Sequence, residues 1–255
     1  MDEKMQRAVD AVVNSGYAIA FTGAGISVES GIPPFRGEDG LWSKVDPNIL
    51  DLDTFYSCPE KSWAVIKELF YNHFDRAQPN AAHRALADLE SSGKIKCVIT
   101  QNIDNLHQEA GSEKIYEFHG NSKRLICTAC GELWQASAAI FASLPPKCKK
   151  CGHLLKPDFV FFGETIPQEA WQNSFAAAER CDVLLIVGTT GEVMPANLIP
   201  EVAKNHGATI IECNTSASLF TEKTSDIFLQ GRATESLSQL AEQVEKAIRI
   251  KGGLV

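Results

Sequence analysis

Apolar positions along the chain switch between two spacings. Met5, Ala8, Val9, Val12 and Val13 recur three and four apart, which aligns side chains on one face of an α-helix. Asn14-Ser15-Gly16 supplies the stop. Residues 17–21 are a short apolar run leading into a glycine-rich turn, the pattern of a buried strand. Residues 80–89, 168–179 and 195–206 read as helices and residues 97–100 as a second buried strand. Residues 183–187, Val-Leu-Leu-Ile-Val, make the clearest strand, wholly apolar as strands covered on both faces are. Residues 209–213 and 227–229 read as further strands, and Leu237, Leu240, Ala241, Val244 and Ile248 form the stripe of a last helix.

Strands alternating with helices predict an α/β fold, a parallel sheet with helices on both faces. Two segments break the rhythm. Residues 37–78 are rich in aromatics and read as loop plus helices; residues 122–156 hold two cysteine pairs and Pro145-Pro146. Both read as insertions that pack together as a smaller domain, leaving residues 1–36, 79–121 and 157–255 for the larger one. In open parallel sheets ligands bind at the carboxyl ends of the strands, so the site is expected there, between the two lobes.

Composition narrows the class. The 255 residues are 44% hydrophobic and 22% charged, enough for a full core and too apolar for disorder. The 24 Lys and Arg against 32 Asp and Glu leave a net charge of −8. With no basic block, that balance disfavours direct nucleic-acid or membrane binding and suits a basic peptide. The first residues lack the apolar run of a signal peptide, and no stretch approaches the ~18 apolar residues of a membrane span. Four of the eight cysteines fall in two C-x-x-C pairs, while Cys58, Cys97, Cys181 and Cys213 are scattered. That usage points to metal binding in a reducing compartment, the cytoplasm, rather than to disulfides.

Cys127-x-x-Cys130, seventeen residues, then Cys148-x-x-Cys151 has the spacing of a zinc site. Four thiolates complete a tetrahedron and leave no open position, so the ion is structural. Gly131 and Gly152 follow the pairs and suit tight left-handed turns; His153 is a competing ligand. Thr22-Gly23-Ala24-Gly25-Ile26-Ser27 follows the first strand. It reads as a phosphate-binding turn at a helix N-terminus or as a plain strand-to-helix turn, and Val28 breaks the G-x-G-x-x-G fingerprint. Thr100-Gln101-Asn102-Ile103-Asp104 ends the second strand; its amides suit a carboxamide or ribose hydroxyls, and it also reads as an Asx turn. His119, before Gly120, is a candidate general base at a strand end, against the plainer reading of a structural histidine, which His73, His83, His107 and His206 keep. Gly188-Thr189-Thr190-Gly191 and Asn214 follow later strands and suit close approach to a cofactor, or are ordinary turns.

In this order Gly23-Ala24-Gly25-Ile26-Ser27, Ser30-Gly31-Ile32-Pro33, Phe35-Arg36, Thr100 to Asp104, His119-Gly120, the four cysteines, Phe162-Gly163-Glu164 and Gly188-Thr189 resemble the sirtuin family, the NAD-dependent protein lysine deacylases. The resemblance implies a Rossmann-like domain and a smaller zinc-ribbon and helical domain, with NAD and zinc as cofactors and an acyl-lysine protein or peptide as substrate. It implies Gly23, Ala24 and Gly25 at the pyrophosphate, and Phe35 and Arg36 on a cofactor loop. Gln101, Asn102 and Asp104 are implied around the ribose and nicotinamide, and Gly188, Thr189 and Asn214 around adenosine. His119 is implied as the base, with Asn102 and Asp104 beside it in catalysis. The resemblance also implies Val160, Phe161 and Phe162 along the acyl-lysine tunnel, with the peptide adding as an extended strand between the lobes.

The chain departs from the family at Pro34, where aspartate is usual, at Thr190-Gly191, where Ser-Leu is usual, and at Phe159, where a branched aliphatic is commoner. Two other readings share the motifs: a protein mono-ADP-ribosyltransferase on the same scaffold, and a non-enzymatic NAD-binding or zinc interaction module. Sirtuins selective for succinyl- or malonyl-lysine carry a Tyr-x-x-Arg pair in the helical insertion. Here Ile66 and Leu69 align with that pair. A carboxylate without a partner is costly to bury, so neutral acyl groups, acetyl or longer, are expected, unless Lys67 or Arg76 reaches the tunnel.

Overall fold

A computed structural model describes residues 2–35, 40–43, 45–72 and 77–252. In chain order its strands are β1 (Ala18–Thr22), β2 (Ile95–Thr100), β3 (Ile115–Glu117), β4 (Gly120–Cys127), β5 (Leu133–Gln135), β6 (Leu155–Phe159), β7 (Val183–Val187), β8 (Thr209–Asn214) and β9 (Ile227–Gln230). The helices are α1 (Glu3–Asn14), α2 (Leu52–Ser57), α3 (Pro59–Ile66), α4 (Ala81–Ser91), α5 (Leu106–Glu109), α6 (Gln168–Arg180), α7 (Leu198–Asn205) and α8 (Ala233–Gly252). None of the described helices is long and apolar enough to cross a membrane.

Six strands form an all-parallel sheet in the order β3-β2-β1-β7-β8-β9. From β1 the chain builds outward through β2 to β3, then returns to the other side of β1 and builds outward again from β7. The order therefore reverses between β1 and β7, where Thr22 pairs with Val187. Connections leave in opposite directions from such a point and open a crevice above it.

Alternation along β1 explains the two covered faces. Ala18 and Ala20 point to the layer of α1, α4 and α8, where small side chains let the helices come close; Ile19 and Phe21 point to α6 and α7. The helix ends follow local signals. Asp2 caps α1 through Lys4 N, and Asn80 caps α4 in a reciprocal box with His83. The helix expected over 195–206 starts only at Leu198, with residues 194–197 as turns. The turn after β1 enters a 3₁₀ helix (Ala24–Ser30), not an α-helix, and ends at Gly31 with φ 87°.

The second sheet is antiparallel, β5-β4-β6. It runs from Gly120 to Phe159 and so reaches past both ends of the expected 122–156 insertion. Its core is shared with the helical segment: Phe55, Trp63, Ile66, Phe70 and Tyr71 pack with Leu125, Phe141, Leu155, Phe159 and Phe161. Trp63 is fully buried, and its indole N–H donates to Leu155 O at 2.9 Å. Among the described residues the two insertions share this one core. Trp63→Ala should therefore destabilise both together, by about 3–5 kcal/mol in urea unfolding of the zinc-loaded protein, with loss of the near-ultraviolet signal of the aromatic cluster.

Candidate active site

One cavity of about 890 Å³ opens above the β1/β7 reversal and extends to the second sheet. Gly23, Ala24, Gly25, Phe35, Gln101, Asn102, His119, Val160, Phe161, Phe162, Gly188, Thr189 and Asn214 all line it. Asp104 does not: it is buried behind the wall. Arg36 lies outside the described residues.

The glycines meet a demand other than room for a phosphate. A Cβ on Gly25 would lie 2.6 Å from Gly188 Cα, and one on Gly188 would lie 2.3 Å from Ile26 N. Gly25 N donates to Gly188 O at 2.8 Å, and Gly23 N to Val187 O at 2.9 Å. The turns after β1 and β7 thus touch backbone to backbone, and Gly188 adds φ 64°, a conformation natural to glycine.

Beneath the turns runs a buried polar chain. Thr22 Oγ1 donates to Thr100 Oγ1 (2.9 Å), which accepts from Asn102 N (3.0 Å). Asn102 Nδ2 donates to Gly23 O and Ser27 Oγ, both at 3.2 Å, and Ser27 Oγ donates to Asp104 Oδ2 at 2.6 Å. Asp104 also accepts from Leu106 N at 3.0 Å. Burial pushes the Asp104 carboxyl up, against the opposing pull of the Ser27 and Leu106 hydrogen bonds. Ser27 links Asp104 to Asn102 in the cavity wall. His83 and His107 stand beside this chain, their rings 5.0 Å apart. Burial lowers His83 to about 4 and His107 well below its ordinary value, so both are neutral near pH 7.

His119 is different. It follows β3, is half-buried, and lines the cavity. Its Nδ1 lies 3.0 Å from Gln101 O. A carbonyl only accepts, so Nδ1 carries the proton and Nε2 keeps its lone pair. Burial lowers its pKa, with the Gln101 hydrogen bond opposing. The pattern is that of an oriented neutral imidazole, able to take a proton at Nε2.

At the far end, Gln101 Nε2 donates to Thr189 Oγ1 (3.1 Å) and Asn214 Nδ2 to Thr189 O (3.1 Å). Glu212, fully buried in β8, gathers the adjoining loop. It accepts from Asn214 Nδ2 (2.8 Å), Ser218 Oγ (2.6 Å), Thr221 Oγ1 (2.9 Å) and Ser225 Oγ (2.7 Å). Residues 214–218 of that loop line the cavity.

Away from the cavity, the sulfurs of Cys127, Cys130, Cys148 and Cys151 all lie within 4.8 Å of one another. Gly131 (φ 70°) and Gly152 (φ 76°) make the left-handed turns that close each pair. Four sulfur donors at this spacing fit a tetrahedral zinc ion. His153 is not among the clustered groups; its Nδ1 donates to Cys151 O at 3.1 Å. None of the four cysteines lines the cavity. Burial pushes the thiols of Cys97, Cys181 and Cys213 up to about 12, which leaves them inert.

The profile of the Sir2 family matches residues 23–195 of this chain. The chain belongs to the Sir2 family. It is 44% identical over 249 residues to an NAD-dependent protein deacylase 2 of Pyrobaculum aerophilum, covering 96% of this chain and 98% of that one. The structure of a Sir2 homologue–NAD complex superposes with a TM-score of 0.89 at 39% identity, covering 97% of this chain and 95% of that one. A Sir2 structure with a deacetylated p53 peptide and 3′-O-acetyl-ADP-ribose gives a TM-score of 0.88 at 34% identity, covering 94% and 98%.

In this Sir2 protein, Ile66 and Leu69 do not line the cavity, contrary to expectation; Ile66 is fully buried and Leu69 packs against the aromatic core. Phe70 is the residue of that segment that reaches the wall. Lys67 lines a separate cavity of about 370 Å³ with Lys123 and Phe141, and Arg76 lies outside the described residues. Sequence reasoning missed, among other wall residues, Ser216, Trp42 and Trp171, and it missed Glu212 behind the wall. Only Glu212 left a signal, a charge inside an apolar strand followed by a run of hydroxyl residues.

Metal affinity at such a site is folding energy. Chelation, or Cys148→Ser, is expected to unfold the antiparallel sheet and lower the melting temperature, and atomic absorption of the native protein is expected to give one zinc per chain. A fully folded, zinc-free preparation would contradict the assignment.

Proposed function

We propose that the chain removes acyl groups from protein lysines using NAD, giving nicotinamide and O-acyl-ADP-ribose. The observation that carries this is His119: a neutral imidazole with Nδ1 tied to Gln101 O, beside Asn102, on a cavity large enough for a dinucleotide and a lysine side chain. Relatives solved with NAD and with peptide and acetyl-ADP-ribose support the same reading.

In this reading Gly23, Ala24 and Gly25 face the pyrophosphate, with Phe35 at the edge of the same cavity. Gln101 and Asn102 bind the ribose and nicotinamide, Asn102 held from behind by Ser27 and Asp104. Gly188, Thr189 and Asn214 bind the adenosine half. When bound, NAD supplies an electrophilic ribose carbon, with nicotinamide as leaving group, and receives the acyl group. His119 takes the proton of a ribose hydroxyl at Nε2, and its Nδ1–H stays on Gln101 O, so the tautomer holds through the step. Val160, Phe161 and Phe162, with Phe159 and Phe70, enclose the acyl-lysine and exclude water from it. The peptide lies extended between the lobes; of the expected division, 1–36, 79–121 and 157–255 against 37–78 and 122–156, we keep the assignment of segments and extend the second insertion to the sheet limits, Gly120 and Phe159. The free thiols suit a reducing cytoplasm.

Mass spectrometry of an acyl-lysine peptide panel, with and without NAD, tests the reading. Deacylation yields free lysine and O-acyl-ADP-ribose. ADP-ribose left on protein would favour the transferase, and no turnover the non-enzymatic module. Among the described residues no lysine or arginine lines the cavity. Succinyl-lysine is therefore expected to give a much lower kcat/KM than acetyl- or myristoyl-lysine on one peptide; the reverse order would reveal a cation in the tunnel.

His119→Ala should lower turnover by ~10²–10⁴-fold with fold and NAD affinity retained. Since burial depresses the His119 pKa, the acid limb of kcat/KM should fall below pH 6.5, with a plateau above it. A limb centred above pH 7 would assign the base to another group.

A further inference from the structure

One wall of the cavity, residues 159–164, is wound around a single buried ammonium group. The Lys156 side chain is 7% exposed. Its Nζ donates to Pro157 O (2.8 Å) and Phe159 O (2.7 Å) and lies 3.0 Å from Glu164 Oε2. An ammonium has three N–H donors and no acceptor, and here three acceptors meet it. The same Glu164 oxygen accepts from Phe161 N at 2.8 Å. Nζ also stands 4.2 Å from the Phe161 ring centre and 6.0 Å from that of Phe159, within cation–π range.

Each of these contacts is made to residues 157–164. The rest of the wall is tied at two other places: Val160 N donates to His119 O (2.9 Å), and Phe162 exchanges backbone hydrogen bonds with Leu50 and Leu52 (2.8 and 3.0 Å). Phe161 lies between those ties: its backbone N–H donates to Glu164, and its ring faces the Lys156 ammonium while packing on Phe55 and Phe159. Lys156 does not line the cavity, whereas Phe159, Phe161 and Glu164 do.

We propose that Lys156, paired with Glu164, is a positioning residue that shapes the acyl-lysine wall and so sets affinity for the peptide, with no part in NAD binding or proton transfer. The inference rests on the deacylase reading. Lys156→Met keeps the apolar stem against Phe159 and Phe161 and removes the charge. Glu164 then loses its cation, two carbonyls lose their donor, and the turn carrying Phe161 relaxes.

The test compares wild type, Lys156→Met and Glu164→Gln, each zinc-loaded, by calorimetric titration with an acetyl-lysine peptide and by steady-state kinetics in both substrates. Lys156→Met should raise the peptide Kd and peptide KM by about ten- to a hundredfold, leaving KM for NAD unchanged and kcat far less affected. Glu164→Gln, which can still accept from Phe161 N, should raise them less. A merely structural role would lower the melting temperature and kcat without this split. Should Lys156→Met not fold, Glu164→Gln decides. Unchanged peptide affinity in the folded variants, or equal losses for peptide and NAD, would overturn the inference. Wild type that binds the peptide in a Lys156-dependent way yet turns nothing over would sink the deacylase reading instead.

Discussion

The site depends on a contact with no room for side chains. Where the strand order reverses, the turns after β1 and β7 pass so close that Gly25 and Gly188 leave no space for a Cβ between them. That contact brings the carboxyl ends of β1 and β7 together, and β2 and β8 follow through their register with them. Gln101, Thr189 and Asn214 can then bond across three strand ends. A methyl group at either glycine would push the turns apart and take the cavity floor with them.

Charge is handled behind the walls rather than in them. Among the described residues the cavity wall carries one formal charge, Glu164, and its counter-ion is buried Lys156. Glu212 sits wholly inside, satisfied by three hydroxyls and an amide, and Asp104 is held by Ser27 and Leu106 N. Buried charges persist only when hydrogen-bonded or paired. Each of these groups therefore ties down the segment that satisfies it. The loop at residues 214–225 and the wall at residues 157–164 owe their shapes to such groups. His119, by contrast, has one nitrogen anchored and the other left for chemistry.

The two insertions also explain each other. The helical insertion and the zinc module share an aromatic core, and Phe162 exchanges backbone hydrogen bonds with Leu50 and Leu52. The zinc site acts at a distance: it secures the antiparallel sheet, whose strand β6 delivers Phe159 to Phe162 to the cavity. Zinc removal and wall distortion are thus linked through one strand.

Local pattern determined much of this in advance. The spacing of Met5 to Val13 in α1, the apolar run of β7 and the two C-x-x-C pairs with their glycines depend on residues close in sequence, so they were legible without the fold. The ordered motifs likewise carried the family and part of the cavity lining. What the tertiary structure alone decided were relations between distant segments. Gly25 and Gly188 lie 163 positions apart, and no periodicity records that they touch. Asp104 belongs to a motif that ends in the wall, but Ser27 draws it behind the wall. Ile66 and Leu69 align with a substrate-facing pair, yet helix geometry turns Ile66 into the aromatic core and presents Phe70 to the cavity. Lys156 reads in the sequence as one lysine among several near the cysteines; only the folded chain brings Pro157 O, Phe159 O and Glu164 to its ammonium. The residue types and local periods specified the elements and the chemistry on offer, whereas burial and partner distance, which exist only after packing, decided which groups face the cavity and which support it.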